Sequence, residues 1–79
     1  MFKLMEKLDR AYEGKLECTL IDKLGKYYHG KISDSWVRLS GGKMRGKLVF
    51  ESHERGLVEP RLVEIDVNDI FDIIIKGEK

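Results

Sequence analysis

The sequence predicts a small, strongly bent β-barrel of the all-β class with a short N-terminal helix. Three observations carry that expectation. Residues 14–39, GKLECTLIDKLGKYYHGKISDSWVRL, read as a tight hairpin with a glycine in the middle of its second strand and a third strand close behind. A helical period precedes this block. An apolar strand, Ile70 to Ile75, ends the patterned part of the chain.

The helical period covers residues 2–13. Met5, Leu8 and Tyr12 fall at i, i+3 and i+7, with Leu4 and Ala11 alongside, and charged residues fill the other side. Glu6 and Arg10 make a favourable i,i+4 pair. Gly14 sits where a helix C-cap glycine belongs. About three turns are marginal alone in water, so the helix is expected to pack across an open end of the barrel.

Residues 15–22 then alternate, with Leu16, Cys18 and Leu20 on one face and Glu17, Thr19 and Ile21 on the other. Lys23-Leu24-Gly25 is a three-residue connection with glycine at the left-handed position. In the next strand, residues 26–33, Tyr28, Gly30 and Ile32 share a face. Mid-strand Gly30 marks a sharp bend or a close backbone approach, as a small barrel needs in order to close. Asp34-Ser35 is read as a break, Trp36–Leu39 as a third strand, and residues 40–46, SGGKMRG, as a basic loop. A strand around Leu48–Glu51 follows, then a polar loop at 53–60. Leu62–Asp66 is a strand, Val67-Asn68-Asp69 a one-turn connector and Ile70–Ile75 the closing strand. The expected core is Leu8, Leu16, Leu20, Ile32, Val37, Leu39, Phe50, Val63 and Ile73.

The chain has 79 residues, which suits one domain, residues 1–79, with a helix at about 2–13 and a barrel at about 15–76. Charged residues at 37% and apolar residues at 42% suit an ordered globular domain. No apolar run approaches the roughly 20 residues that span a bilayer, and residues 1–10 lack a signal-peptide core, so no membrane association is expected. A single cysteine cannot pair within the chain, which points to a reducing, cytoplasmic setting. The net charge of +1 is unevenly spread: residues 1–47 hold eleven Lys/Arg against six Asp/Glu, and residues 48–79 hold four against eight. Such asymmetry can give the barrel a basic and an acidic face, or let identical subunits pack head to tail.

Residues 41–48, GGKMRGKL, nearly match a phosphate-binding loop. Leu48 stands where the magnesium-binding hydroxyl belongs and no helix follows, so the match is rejected. No metal site is expected, because His29, His53 and Cys18 have no paired spacing. No cofactor is expected. No nucleophile has a neighbouring base, and Asp66, Asp69 and Asp72 would not converge from in or beside a strand, so the chain reads as non-catalytic. Nucleic-acid binding has more support. Arg38, Lys43, Arg45 and Lys47 cluster around the glycine-rich loop, with Tyr27, Tyr28 and Trp36 nearby, and such sets stack bases and neutralise phosphates. In the closing strand, Ile70, Phe71, Ile73, Ile74 and Ile75 cannot all face one side. An apolar edge strand of this kind predicts a homo-oligomer, most simply a cyclic one.

The order of elements resembles the Sm-like (LSm) family, within the SH3-like group of small five-stranded barrels. LMEKLDRAYEG matches its helix, KLECTLIDKLGKYYHGKI is similar to its first motif, and VEIDVNDIFDIII is similar to its second. The resemblance implies rings of six or seven subunits that bind single-stranded, uridine-rich RNA through two loops. In the first loop the family has an Asp, an apolar residue and an Asn; here Asp34 and Trp36 occupy the region and Arg38 is the nearest polar group after them. In the second the family has Arg-Gly; here Asp66, Val67, Asn68 and Asp69 stand instead. The resemblance therefore implies an altered RNA site, with Asp34, Trp36, Arg38, Lys43, Arg45 and Asn68 as its candidate residues. A second resemblance is to the PRC-barrel, carried by Gly25, Gly30-Lys31-Ile32, Asp34, residues 46–50 (GKLVF), Val63 and Asp69-Ile70. It implies a protein–protein adaptor, with a protein as the partner instead of RNA.

Overall fold

The computed structural model describes residues 3–53 and 59–76. The chain folds as helix α1 (Lys3–Glu13), then β1 (Cys18–Asp22), β2 (Tyr27–Ser35), β3 (Arg38–Ser40), β4 (Lys43–Arg45), β5 (Lys47–Ser52) and β6 (Arg61–Asp66). A 3-10 turn (Val67–Asp69) leads into β7 (Ile70–Ile75). Five strands form one antiparallel sheet in the order β6-β5-β2-β1-β7, and β3 and β4 pair as a separate hairpin. The protein is thus a small, mainly β domain with one short N-terminal helix.

Helix α1 buries Leu8 and Ala11 and lays Leu4 and Tyr12 against the core. It ends in paired bonds from Leu16 N–H to the Ala11 carbonyl and from Lys15 N–H to the Tyr12 carbonyl. That is the Schellman arrangement, and it puts the left-handed residue one place later than the glycine suggests: Lys15 has φ +49°. Gly14 fits for a different reason, since a Cβ there would crowd the Leu16 side chain and the Arg10 carbonyl oxygen.

The β1–β2 turn has the expected glycine, with Gly25 at φ +87°. Asp22 organises the turn. Its Oδ1 accepts from the backbone N–H groups of Leu24 and Lys26, both at 2.9 Å, satisfying donors that the turn leaves unpaired.

Strand β2 is the longest and does not break at Asp34-Ser35. It runs on to Ser35 and absorbs one extra residue, Ser33, as a bulge between the Ile32–Phe50 and Asp34–Val49 pairs. Its first half pairs with β1 and its second half with β5. At the changeover, a Cβ on Gly30 would collide with the Glu51 carbonyl oxygen, so the two strands approach this closely only because residue 30 has no side chain. A second bulge leaves Phe71 as the extra residue of β7, between the Asp22–Ile70 and Ile21–Asp72 pairs. This bulge explains why an apolar run shows no simple alternation: Ile70, Ile73 and Ile75 point inward, and Phe71 and Ile74 point out.

The core contains the expected Leu8, Leu20, Ile32, Phe50 and Ile73, joined by Ala11, Cys18, Leu48, Ile65, Val67, Ile70 and Ile75. Leu16, Val37 and Val63 pack against it only partly buried. Leu39 is not a core residue: it lies on the protruding β3–β4 hairpin and is 46% exposed. The hairpin also corrects the reading of residues 36–46. The third strand starts at Arg38, not Trp36, and the glycine-rich loop is a second strand with a Gly41-Gly42 turn. Most of the polar loop expected at 53–60 lies outside the described residues.

Phe50 is fully buried and its ring meets Tyr28 edge-on, with centroids 6.3 Å apart. Phe50→Ala is expected to lower unfolding stability by about 3–5 kcal/mol in a urea titration. Gly30→Ala should also destabilise strongly although it adds only a methyl group. A stability equal to wild type for Gly30→Ala would show that β2 and β5 do not cross so closely.

Candidate nucleic-acid interface

The β3–β4 hairpin stands on a glycine. Gly46 has φ +115°, a conformation that favours glycine, and a Cβ there would collide with the Trp36 carbonyl oxygen. Trp36 N–H in turn donates to the Lys47 carbonyl at 2.8 Å, so the two legs of the hairpin close at its base. The Gly46 carbonyl accepts from Val67 N–H at 3.0 Å. This bond ties the hairpin to the 3-10 turn and brings residues 36–46 and 66–69 together, although some twenty positions separate them in the sequence.

The hairpin has two faces. Leu39 is opposite Met44, and Met44 packs against the core. Arg38 is opposite Arg45, and Ser40 is opposite Lys43, so the alternate positions put these four on the other face. Arg38, Lys43 and Arg45 are all exposed, and none makes an ion pair among the described residues. Trp36, at the base of the hairpin, is 53% exposed.

The other candidates fall differently. Asp34 is half-buried: its Oδ1 accepts from Ser35 N–H at 3.1 Å and from the Tyr12 hydroxyl at 3.4 Å, which links β2 to the helix. It is spent on structure rather than on the hairpin face. Asn68 is exposed on the 3-10 turn, and its backbone N–H donates to Asp66 Oδ1 at 2.8 Å. The turn thus caps its second N–H with an acid, while its first, on Val67, goes to Gly46. Of the closing strand, Ile70, Ile73 and Ile75 belong to the domain's own core, and Phe71 and Ile74 are the outward pair.

The sequence did not foretell two hollows among the described residues. One, of about 330 Å³, is lined by Asp22, Lys23, Leu24, Tyr28, residues 63–66 and Asp69, so four carboxylates surround it. The 3-10 turn borders both this acidic hollow and the basic hairpin. The other, of about 460 Å³, lies along Glu17, Thr19, His29, His53, Ile74 and Lys76. There Thr19 Oγ1 and His29 Nδ1 share a 2.9 Å hydrogen bond, and His53 Nε2 lies 3.2 Å from Glu51 Oε1. Among the described residues no three His, Cys, Asp or Glu converge on a metal-binding geometry. Neither hollow follows from spacing, because each is assembled from segments that lie far apart in the chain.

Cys18 lines the inner face of β1, and burial pushes its thiol up to about 11. The thiolate is the reactive form, so folded protein near pH 8 should resist a thiol reagent that labels the denatured chain at once. Rapid labelling of the native protein would contradict the packing of β1. Asp72 fixes the helix to β7 through a 3.0 Å bond from Lys7 Nζ. Partial burial raises its carboxyl, but the Lys7 hydrogen bond, the Ile73 N–H and the Lys7 charge together hold it below the ordinary carboxylate value. A depressed folded-state pKa stabilises above the unfolded value and is lost as the carboxylate protonates. Wild type should therefore lose stability relative to Asp72→Asn as pH falls below about 4, modestly, because the pair is partly solvated.

No family model, no curated protein and no solved structure matches this chain. Among the described residues no helix is long and apolar enough to cross a membrane.

Proposed function

We propose that the protein is a non-catalytic Sm-like β-barrel module that forms a homo-oligomer and associates with single-stranded RNA through the β3–β4 hairpin. The observation that carries this reading is the Gly46–Val67 hydrogen bond, which sets an unneutralised basic hairpin beside the 3-10 turn. Two segments that the Sm-like resemblance assigns to RNA are thereby neighbours. Trp36 offers a ring for stacking, and Arg38, Lys43 and Arg45 offer charge for phosphates. The site is altered from the family pattern, since Asp34 is bonded to Tyr12 and Ser35, and Asp66 and Asp69 stand in the second segment.

The sheet topology supports the oligomer. Strands β6 and β7 are the two ends of the five-strand order, and each has one edge without a strand partner among the described residues. A free edge with outward Phe71, Ile74 and Leu62 is a template for pairing with a second copy. Edge-to-edge pairing of β6 on one subunit with β7 on the next is heterologous and closes into a ring if the rotation allows.

RNA titration and sedimentation test the two halves separately. Affinity for single-stranded RNA should fall steeply between about 50 and 200 mM salt, as phosphate contacts release counterions. Sedimentation equilibrium at micromolar protein should show an oligomer, and Ile74→Asp should shift it toward monomer. Negligible RNA binding together with capture of a defined protein partner would replace the RNA reading with a PRC-barrel-like adaptor. A strict monomer would remove the ring.

A further inference from the structure

We infer that Arg38 and Arg45 act together as a clamp on a backbone phosphate, so that the hairpin grips a nucleic-acid strand without reading its bases. This rests on the RNA reading above and specifies which contact carries it. The two arginines are directly opposite each other in an antiparallel pair. Side chains so placed start about 5 Å apart and share a face, and like charges at such positions repel. Three lysines of the structure meet acids, Lys7 with Asp72, Lys47 with Glu64 and Lys76 with Glu17, and neither hairpin arginine does. On the hairpin neither guanidinium group makes an ion pair within 4.0 Å with a described carboxylate.

A tight turn closes the hairpin and keeps the two arginines in register. Gly41 and Gly42 both have positive φ, +60° and +78°, which is the conformation of the tight two-residue hairpin turn. Met44 anchors the opposite face to the core, so the arginine face points away from the barrel. Two planar forks on one solvent-facing side of the hairpin suit the oxygens of one phosphate better than two ammonium groups would. The next cross-strand pair, Ser40 and Lys43, lies about 7 Å further along and can meet the neighbouring phosphate.

The surroundings exclude the obvious alternative path. Asp66 and Asp69 sit on the 3-10 turn beside the hairpin base and line the acidic hollow behind it. Phosphates are repelled there, so the strand runs along the hairpin rather than over the turn. Contacts of this kind position a strand and carry no sequence information.

The test is the salt dependence of binding to labelled oligo-U, oligo-A and mixed single-stranded RNA, for wild type, Arg38→Gln, Arg45→Gln and the double variant. Each contacted phosphate on a single strand contributes about 0.7 to the slope of log affinity against log salt. If one phosphate is shared, each single variant weakens binding but keeps the slope, because one guanidinium still neutralises it. The double variant should flatten the slope by about 0.7, equally on all three RNAs. Replacing both arginines by lysine should keep the slope and still weaken binding, since charge remains and the fork is lost. Single-variant slope losses that add would mean two separate phosphates and overturn the clamp. So would an unchanged slope in the double variant while RNA stays bound, or a loss confined to one base sequence. If wild type binds none of the three RNAs, the RNA reading itself fails and the clamp with it. Both arginines are exposed, so circular dichroism should be unchanged in every variant.

Discussion

Strand β2 must pair with two partners at once, and the rest of the structure depends on how it manages this. Its first half is held by β1 and its second half by β5, and the two ladders overlap at Gly30. Gly30 allows the close crossing with β5, and the Ser33 bulge adds twist just beyond it. The registers set Ile32 beside Phe50 and Leu20 beside Ile73, so that one face of the sheet carries the buried core. Helix α1 packs on that core, held by Leu8, Ala11 and the Lys7–Asp72 pair.

Most of this was legible in the residues because it depends on local rules. The helix, the Gly25 turn, the significance of Gly30, the one-turn connector and the closing strand each follow from periodicity or turn chemistry over a few positions. The parts that were not legible depend on register. Nothing local shows that Asp34 continues β2 through a bulge, or that Phe71 is an extra residue in β7. Leu39 alternates like a core residue, but a hairpin that leaves the barrel takes it outward. Gly14 looks like the left-handed cap, yet the Schellman bonds at the helix end place that conformation on Lys15.

The candidate site divides in the same way. The basic composition of residues 38–47 was plain from sequence, as was the acidic character of residues 64–72. That Arg38 opposes Arg45, and that Gly46 bonds to Val67, appears only once the chain is folded. The outcome is a domain with a division of labour. The sheet supplies a well-packed base whose two outer strands each have one edge without a strand partner among the described residues, and a short hairpin, anchored through Met44 and Gly46, carries three exposed cations, Arg38, Lys43 and Arg45. A two-stranded ladder of three residues a side has little stability of its own, so its order is borrowed from the barrel at those two anchors.

Native-state hydrogen exchange tests that division most directly, because it reads the opening free energy of each amide separately. Amides in β1, β2 and β5 should exchange only through global unfolding, including His53 N–H, which donates to the His29 carbonyl at 2.7 Å beside the Gly30 crossing. Amides of β3 and β4 should exchange through a separate, lower-energy opening, with Trp36 and Val67 N–H at the anchors intermediate. Equal protection across the hairpin and the five-stranded sheet would contradict the account, and so would a β2 whose two halves open independently.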